Sequence, residues 1–267
     1  VESLDPSFES IEDGSIIIIS KPLILPQSIA LKSANNKGIR FGIIHLCDEA
    51  YLTDLDFYNY ASIVYREYYH PIVEQTPHIS CIPLGCKKGF QICKSYNELP
   101  DISQRKYSWS FLGQINKNNR KIMFEEMTSL NLPSYWHFNT CFNSFDCLST
   151  KDYQNIMEQT LFAPCPCGWV NLDCYRLYES LESGCIPIVE RGLDDYFYKL
   201  YTNPPFIICK TWADAPKIIT YLLNHPDELE ELRKNCFDWW ANYKIELKNK
   251  IFNELSEAFS LINSNIL

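Results

Sequence analysis

No apolar run in this 267-residue chain approaches the ~20 residues that cross a bilayer as a helix, and Ile16–Ile19 is far too short. No G-x-G-x-x-G fingerprint is present, which weakens any reading as a dinucleotide-dependent Rossmann enzyme. Positive charge is in deficit: 24 Lys and Arg against 33 Asp and Glu leave a net charge of −9. That balance argues against nucleic acid or an anionic membrane as the main partner, while local basic residues can still serve an anionic nucleotide. The 12 cysteines lack a common zinc-site spacing, as Cys81-x4-Cys86-x6-Cys93 and Cys165-x-Cys167 illustrate, so no metal is expected. Buried free thiols are the default for them, and disulfides stay open. Internal repeats and low-complexity tracts are absent. The chain opens on Val1 without an initiator Met or a signal-peptide pattern, and so reads as trimmed. These residues fix no compartment: a cytoplasmic reading and, if an upstream membrane anchor has been removed, a Golgi-lumenal one both stay open.

What is present is the composition of a soluble globular protein, 46% apolar and 21% charged, and a repeated pattern of apolar strand followed by polar tip. Strands are predicted over 15–20, 41–46, 61–65 and 79–84, then over 108–113, 134–139, 185–189 and 205–209. Short buried strands alternating with helical segments indicate an α/β chain with parallel sheets. The polar stretch Pro100–Lys106 reads as a linker, dividing the chain into residues 1–105 and 106–267. A long amphipathic segment from Asn235 to about Leu261 closes the chain, and its Trp239, Trp240 and Tyr243 read as packing. His45, inside the second strand, reads as a satisfied core histidine.

One segment organises the rest: Cys165–Glu190, CPCGWVNLDCYRLYESLESGCIPIVE. It holds a loop with Pro166 and Gly168, a helix capped by Asn171 or Asp173 and stopped by Gly184, and a strand, Cys185–Val189. A helix start after such a loop is a ready anion site. Asp173, Arg176 and Glu179 form a D-x-x-R-x-x-E ladder along one helix face. A guanidinium there can fork onto a diphosphate, and a carboxylate can accept from ribose hydroxyls. The same spacing equally describes an ordinary ion pair on a solvated helix face.

The segment resembles the signature of the exostosin-type glycosyltransferases: a P-x-G loop, an Arg-x-x-Glu helix, then G-C-[IV]-P-[IV]. It is most similar to the branch containing ribitol xylosyltransferase, through Cys174–Glu179 (CYRLYE) and Gly184–Val189. The strand tips HLCDE, YREYYH and IPLGCKKGF resemble the N-terminal half of the same branch. One departure is Cys167, where many relatives carry an arginine after the loop proline.

The resemblance implies a GT-B fold, with two Rossmann-like domains, a cleft between them and a C-terminal helix crossing back. Residues 1–105 would form the acceptor-side domain and 106–267 the nucleotide-sugar domain. It also implies an inverting transferase without metal or cofactor, moving a sugar from a nucleoside-diphosphate donor, UDP-xylose by the branch likeness. The acceptor would be a glycan or polyol-phosphate hydroxyl. Gly113, Arg120, Gly168, Asn171, Asp173, Arg176 and Glu179 are then expected at the donor, with Lys117 as an alternative phosphate contact. Asp48 or Glu49 is expected as the general base, with Arg66 and His70 at the acceptor. The tripeptide Asp54-Leu55-Asp56 is taken as structural. A competing reading is a non-catalytic module derived from such an enzyme, which binds glycan or nucleotide without turnover.

Overall fold

The computed structural model describes residues 10–93, 95–192 and 195–260. Contacts gather them into two compact units, one running to Pro83 and resuming at Lys244, the other Leu84–Tyr243.

The first unit holds four parallel strands, β1 (Ser15–Ile19), β2 (Phe41–His45), β3 (Ile63–Arg66) and β4 (Ile79–Cys81), paired in chain order. Helix α1 (Leu25–Asn36) links β1 to β2, and the short α2 (Ile72–Gln75) precedes β4. The pleat sorts β1 by face. Ile17 and Ile19 are buried with Leu31 and Ala34 of α1 and with Phe57 and Tyr58, while Ile16 and Ile18 stay 40% exposed. Strand β4 stops at Cys81 rather than Leu84, because Pro83 has no N–H to donate to the ladder.

The second unit holds five parallel strands: β5 (Tyr107–Gly113), β6 (Ser134–Phe138), β7 (Thr160–Pro164), β8 (Ile186–Glu190) and β9 (Ile207–Cys209). They are crossed by α3 (Arg120–Ser129), α4 (Thr150–Glu158), α5 (Tyr175–Glu182), α6 (Tyr196–Leu200) and α7 (Ala215–Leu223). Trp109, Phe111, Phe162, Ile186 and Ile188 of the sheet pack against Met123, Met127 and Ile219 of the helices. The spatial order is β6-β5-β7-β8-β9, so the chain leaves β5 in one direction for β6 and returns on its other side as β7. That reversal is a topological switch point, where open parallel sheets leave a crevice beyond the strands' carboxyl ends.

The units do not divide at Pro100–Lys106. Residues 84–106 belong to the second unit, because two buried arginines take up their polar groups. Arg105 donates to the carbonyls of Thr160 and Ser183, and Arg233 Nη2 donates to the carbonyl of Pro100 at 2.8 Å. The last helix, α8 (Pro226–Ser260), contributes residues to both units, in keeping with a terminal helix that returns to the first. Within the first unit, Glu254 on α8 accepts from the Tyr65 hydroxyl of β3 at 2.9 Å. The expected end of this helix, at Leu261, lies outside the described residues.

Candidate active site

At the switch point of the second unit, two loops meet. The loop after β7 is folded by local bonds: the Gly168 N–H donates to the Asn171 carbonyl at 2.7 Å, and Asn171 Oδ1 accepts from the Asp173 N–H at 3.0 Å. With Asn171 occupied in that turn, the helix start moves on. Cys174 is the N-cap of α5 and makes no side-chain cap bond, so neither Asn171 nor Asp173 serves as expected. Asp173 instead accepts from the Tyr178 hydroxyl at 2.7 Å in the core.

Arg120, at the start of α3, ties this loop to the one after β5. Its Nη2 and Nε donate to the Cys167 carbonyl at 2.7 and 3.1 Å, and Nη1 donates to the Gln114 carbonyl at 2.9 Å. The side chain is buried, and the structure places it as a clamp on carbonyls rather than as a cation offered to phosphate. Asn118 adds a second tie through the Trp169 carbonyl at 2.7 Å. Cys167 donates its thiol to Asn119 Oδ1. The Lys117 carbonyl accepts from the Arg120 N–H at 3.1 Å, while its half-buried side chain makes no hydrogen bond or ion pair among the described residues.

Arg176 and Gly113 come together directly. The guanidinium lies 4.5 Å from the Phe111 ring centre, its Nη2 donates to the Leu112 carbonyl at 2.6 Å, and its Nε is buried without a hydrogen-bond partner. Gly113 has φ +143, and a Cβ there would stand 2.8 Å from Nη2, so any other residue would be strained and would displace the guanidinium. Glu179, 4% exposed, accepts from the Lys87 N–H at 3.2 Å. Burial raises its pKa, while the Tyr153 hydroxyl and the Lys87 N–H work in the opposite direction. The Asp173–Arg176–Glu179 face is therefore buried, which rules out a solvated surface ion pair. Sequence reasoning left Lys87 without a role. Its Nζ sits 5.0 Å over the Phe142 ring, which stacks on Tyr175 at the first turn of α5.

The carboxyl edge of the first sheet is polar and mostly buried. His45 is fully buried, with Nδ1 2.6 Å from the Tyr58 hydroxyl, and burial lowers its pKa to about 4. Asp48, at φ +84, accepts from the Thr53 N–H at 2.9 Å and from Arg66 Nη2 at 3.2 Å, with both ionic side chains at or below 1% exposure. Arg66 Nε donates to the Tyr68 carbonyl at 3.0 Å. The pair is thus an internal brace. Each Asp48 oxygen accepts a hydrogen bond within the fold, and Arg66 is buried rather than a surface cation, with its Nη1 left without a partner. His70 Nδ1 accepts from the Ile72 N–H at 3.1 Å, and burial lowers its pKa. Glu49 is half-buried and not without a partner. The tripeptide at Asp54 is local structure, since its carboxylate accepts from the Asp56 N–H at 3.0 Å.

Glu67 was not anticipated. It follows the last residue of β3, it is half-buried, and burial pushes its carboxyl up to about 7. The signal was available, since it is an acidic residue just past a parallel strand in the tip YREYYH. Among the described residues, no group of three or more His, Cys, Asp or Glu side chains is placed to hold a metal.

Comparison with known proteins bears on this arrangement. The family model described as the RXYLT1 C-terminal domain matches residues 88–260. The chain belongs to that family. The match takes in the loops after β5 and β7, Arg176 with its glycine, and Lys87's neighbours, and it runs to the end of α8. Among curated relatives, ribitol-5-phosphate xylosyltransferase 1 of Homo sapiens is 28% identical over 213 residues, covering 68% of this chain and 45% of that protein. The Danio rerio protein of the same name is 25% identical over 181 residues, covering 58% and 39%. This RXYLT1 C-terminal domain chain thus spans less than half the length of those relatives.

Solved structures share the fold. An alpha1,3-fucosyltransferase superposes with TM-score 0.54 at 14% identity, over 86% of this chain and 71% of that one. The pneumococcal O-GlcNAc transferase GtfA, in complex with UDP and GlcNAc, superposes with TM-score 0.53 at 11% identity, over 93% and 57%. The two parallel-sheet α/β units are those of the GT-B fold.

Proposed function

We propose that this chain is a glycosyltransferase that moves a sugar, xylose, from a UDP-linked donor to a hydroxyl of a polyol-phosphate or glycan acceptor. The donor nucleotide binds the second unit at the β5/β7 switch point. The relatives' name, ribitol-5-phosphate xylosyltransferase 1, supports the sugar and the acceptor class. The observation that carries the reading is the Arg176–Gly113 contact: a buried guanidinium with an unpartnered Nε, held at the switch point beside the first turn of α5. Guanidinium and helix-start amides together suit a leaving diphosphate. Lys87 and Lys117 are the nearby loop cations that can add to it.

Transfer is inverting and needs no metal. The acceptor oxygen attacks C1 of the sugar in line, the bond from C1 to the diphosphate oxygen breaks, and that electron pair leaves with UDP. The leaving charge is met by cations and amides fixed before the reaction, which is where most of the rate enhancement arises in such sites. An acceptor-side carboxylate takes the acceptor proton.

A second reading, a module that binds nucleotide without turnover, draws on Arg120 and Cys167, which leave the loop after β7 without a phosphate-facing arginine. Incubating the protein with UDP-[14C]xylose and a ribitol phosphate acceptor, with and without EDTA, separates the two. Labelled product formed equally in EDTA supports the proposal. UDP binding without product supports the module, and strict metal dependence contradicts the metal-free mechanism.

A further inference from the structure

We infer that the rings of Phe142 and Tyr175 form the seat of the donor's nucleobase, an aromatic step beside the diphosphate site against which the planar base lies. This rests on the transferase reading above and adds the part of the donor that reading leaves unassigned.

Every group involved lies in the second unit. The loop after β6 begins at Asn139, whose Oδ1 is 3.8 Å from where a Gly113 Cβ would stand, and Arg176 Nη2 is 2.8 Å from the same point. The root of the loop therefore abuts the contact between the glycine and the arginine. Further along the loop, Phe142 lies nearly parallel to Tyr175, with ring centres 6.3 Å apart and planes 17° from parallel. At that separation the rings are slid past one another rather than eclipsed, so together they make a flat step wider than either alone. Tyr175 is the first residue of α5, and Arg176 follows it. A base that extends one ribose beyond a diphosphate at this helix start reaches the step.

The loop holds Phe142 in place without covering it. The Asp146 carboxylate accepts from the Thr140 N–H at 2.8 Å and from the Thr140 hydroxyl at 2.6 Å, and the Asp146 carbonyl is 2.6 Å from His137 Nε2. Asn139 Nδ2 donates to the Cys141 carbonyl at 2.8 Å. These bonds tie the backbone on both sides of residue 142, yet the Phe142 side chain is 58% exposed. A ring fixed from behind and open in front is ready for a planar ligand, because little freedom remains to be lost on binding.

What lies over that ring is a flexible cation rather than packed core. Lys87 Nζ is 5.0 Å from the Phe142 ring centre, and the ammonium makes no hydrogen bond or ion pair among the described residues. The Lys87 N–H donates to Glu179 at 3.2 Å, so the backbone is anchored to α5 while the side-chain stem is free to turn. An ammonium on an exposed ring is held weakly, whereas one on a phosphate oxygen makes a charge-assisted bond. A bound diphosphate draws Lys87 off the ring, and the base takes the face it leaves. Stacking accepts any base, so the step fixes the nucleotide's position rather than the identity of its base.

The test titrates the intact protein with UDP and with inorganic pyrophosphate, which lacks the base. Phe142→Ala should bind UDP about tenfold or more weakly, with pyrophosphate affinity within about twofold of wild type. Phe142→Leu keeps apolar bulk without a ring and should lose UDP affinity likewise, while Phe142→Tyr keeps the ring and should stay within about threefold of wild type. Phe145, fully exposed in the same loop, is the control, and Phe145→Ala should bind UDP as wild type does. Thermal melting confirms that each variant is folded, and if Phe142→Ala does not fold, the contrast between Phe142→Leu and Phe142→Tyr carries the test. Wild-type UDP affinity in folded Phe142→Ala or Phe142→Leu, or a parallel fall for UDP and pyrophosphate, overturns the assignment alone. Absence of UDP binding by the wild type overturns the nucleotide site read above and the assignment with it.

Discussion

Arg66 donates through Nη2 to Asp48 Oδ2 at 3.2 Å, and both side chains are almost wholly removed from water. Removing one member of such a pair strands a buried charge, which costs about 3–5 kcal/mol, whereas replacing both by apolar groups is far milder. Asp48→Asn should therefore lower the unfolding free energy by about that amount in urea titrations, and the double change to apolar residues should recover much of it. An unchanged midpoint for Asp48→Asn would show that the pair does not brace the first sheet.

Arg176 is 8% exposed, lies on Phe111 and holds the Leu112 carbonyl. A surface phosphate clamp could be truncated without harm to the fold, but this one cannot. Arg176→Ala should lose about 2 kcal/mol or more of stability, from a cavity and an orphaned carbonyl, together with UDP affinity. Arg176→Lys keeps the charge but cannot lie flat on the ring while holding the carbonyl. It should melt closer to wild type and still bind UDP at least about tenfold more weakly, as titration calorimetry would register.

Gly113→Ala tests the same contact from the other side. At φ +143 an alanine is strained by about 1–3 kcal/mol, and its Cβ would stand 2.8 Å from the Arg176 Nη2. The guanidinium must shift, so nucleotide affinity should fall as it does in Arg176→Ala. Combining the two changes should cost less in binding than the sum of each, because they disturb one interaction. Strict additivity would separate the glycine from the arginine's role.

Glu67 and His45 oppose one another in pH. The Glu67 carboxyl is raised from 4.5 to about 7, so its neutral form favours the fold, and that stability is lost as pH rises through this window. His45 is lowered from 6.5 to about 4, so its neutral form favours the fold, and that stability is lost as pH falls through its own window. Each amounts to about 3 kcal/mol by the linkage relation, and over pH 4.5–6.5 they offset. Relative to wild type, Glu67→Gln should gain stability as pH rises from 4.5 to 7, as denaturant titrations at stepped pH would show. A difference between the two proteins that is flat with pH would place the Glu67 carboxyl in water.

Much of this was legible from local pattern. Ile-rich runs ending in polar tips identify the parallel strands, and CPCGWVNLDCYRLYESLESGCIPIVE reads directly as loop, helix and strand. His45, a buried polar side chain inside a strand, reads correctly as core. What failed was tertiary. Pro100–Lys106 has linker composition, yet Arg105 and Arg233 bind it into the second unit from positions far along the chain. The burial of Asp173, Arg176 and Glu179 depends on Tyr178, Phe111 and the Lys87 backbone, which helix periodicity alone cannot supply. Glu67 stood out only once the structure showed its carboxylate half-buried, with burial raising its pKa.

The central claim is that the second unit grips a nucleoside diphosphate at the β5/β7 switch point through Arg176. Titrating UDP into wild type and into Gly113→Ala by calorimetry tests it most directly. The account predicts saturable one-site binding by the wild type and its loss in a Gly113→Ala protein that remains folded. Equal affinity in both proteins, or no UDP binding by the wild type, would contradict it.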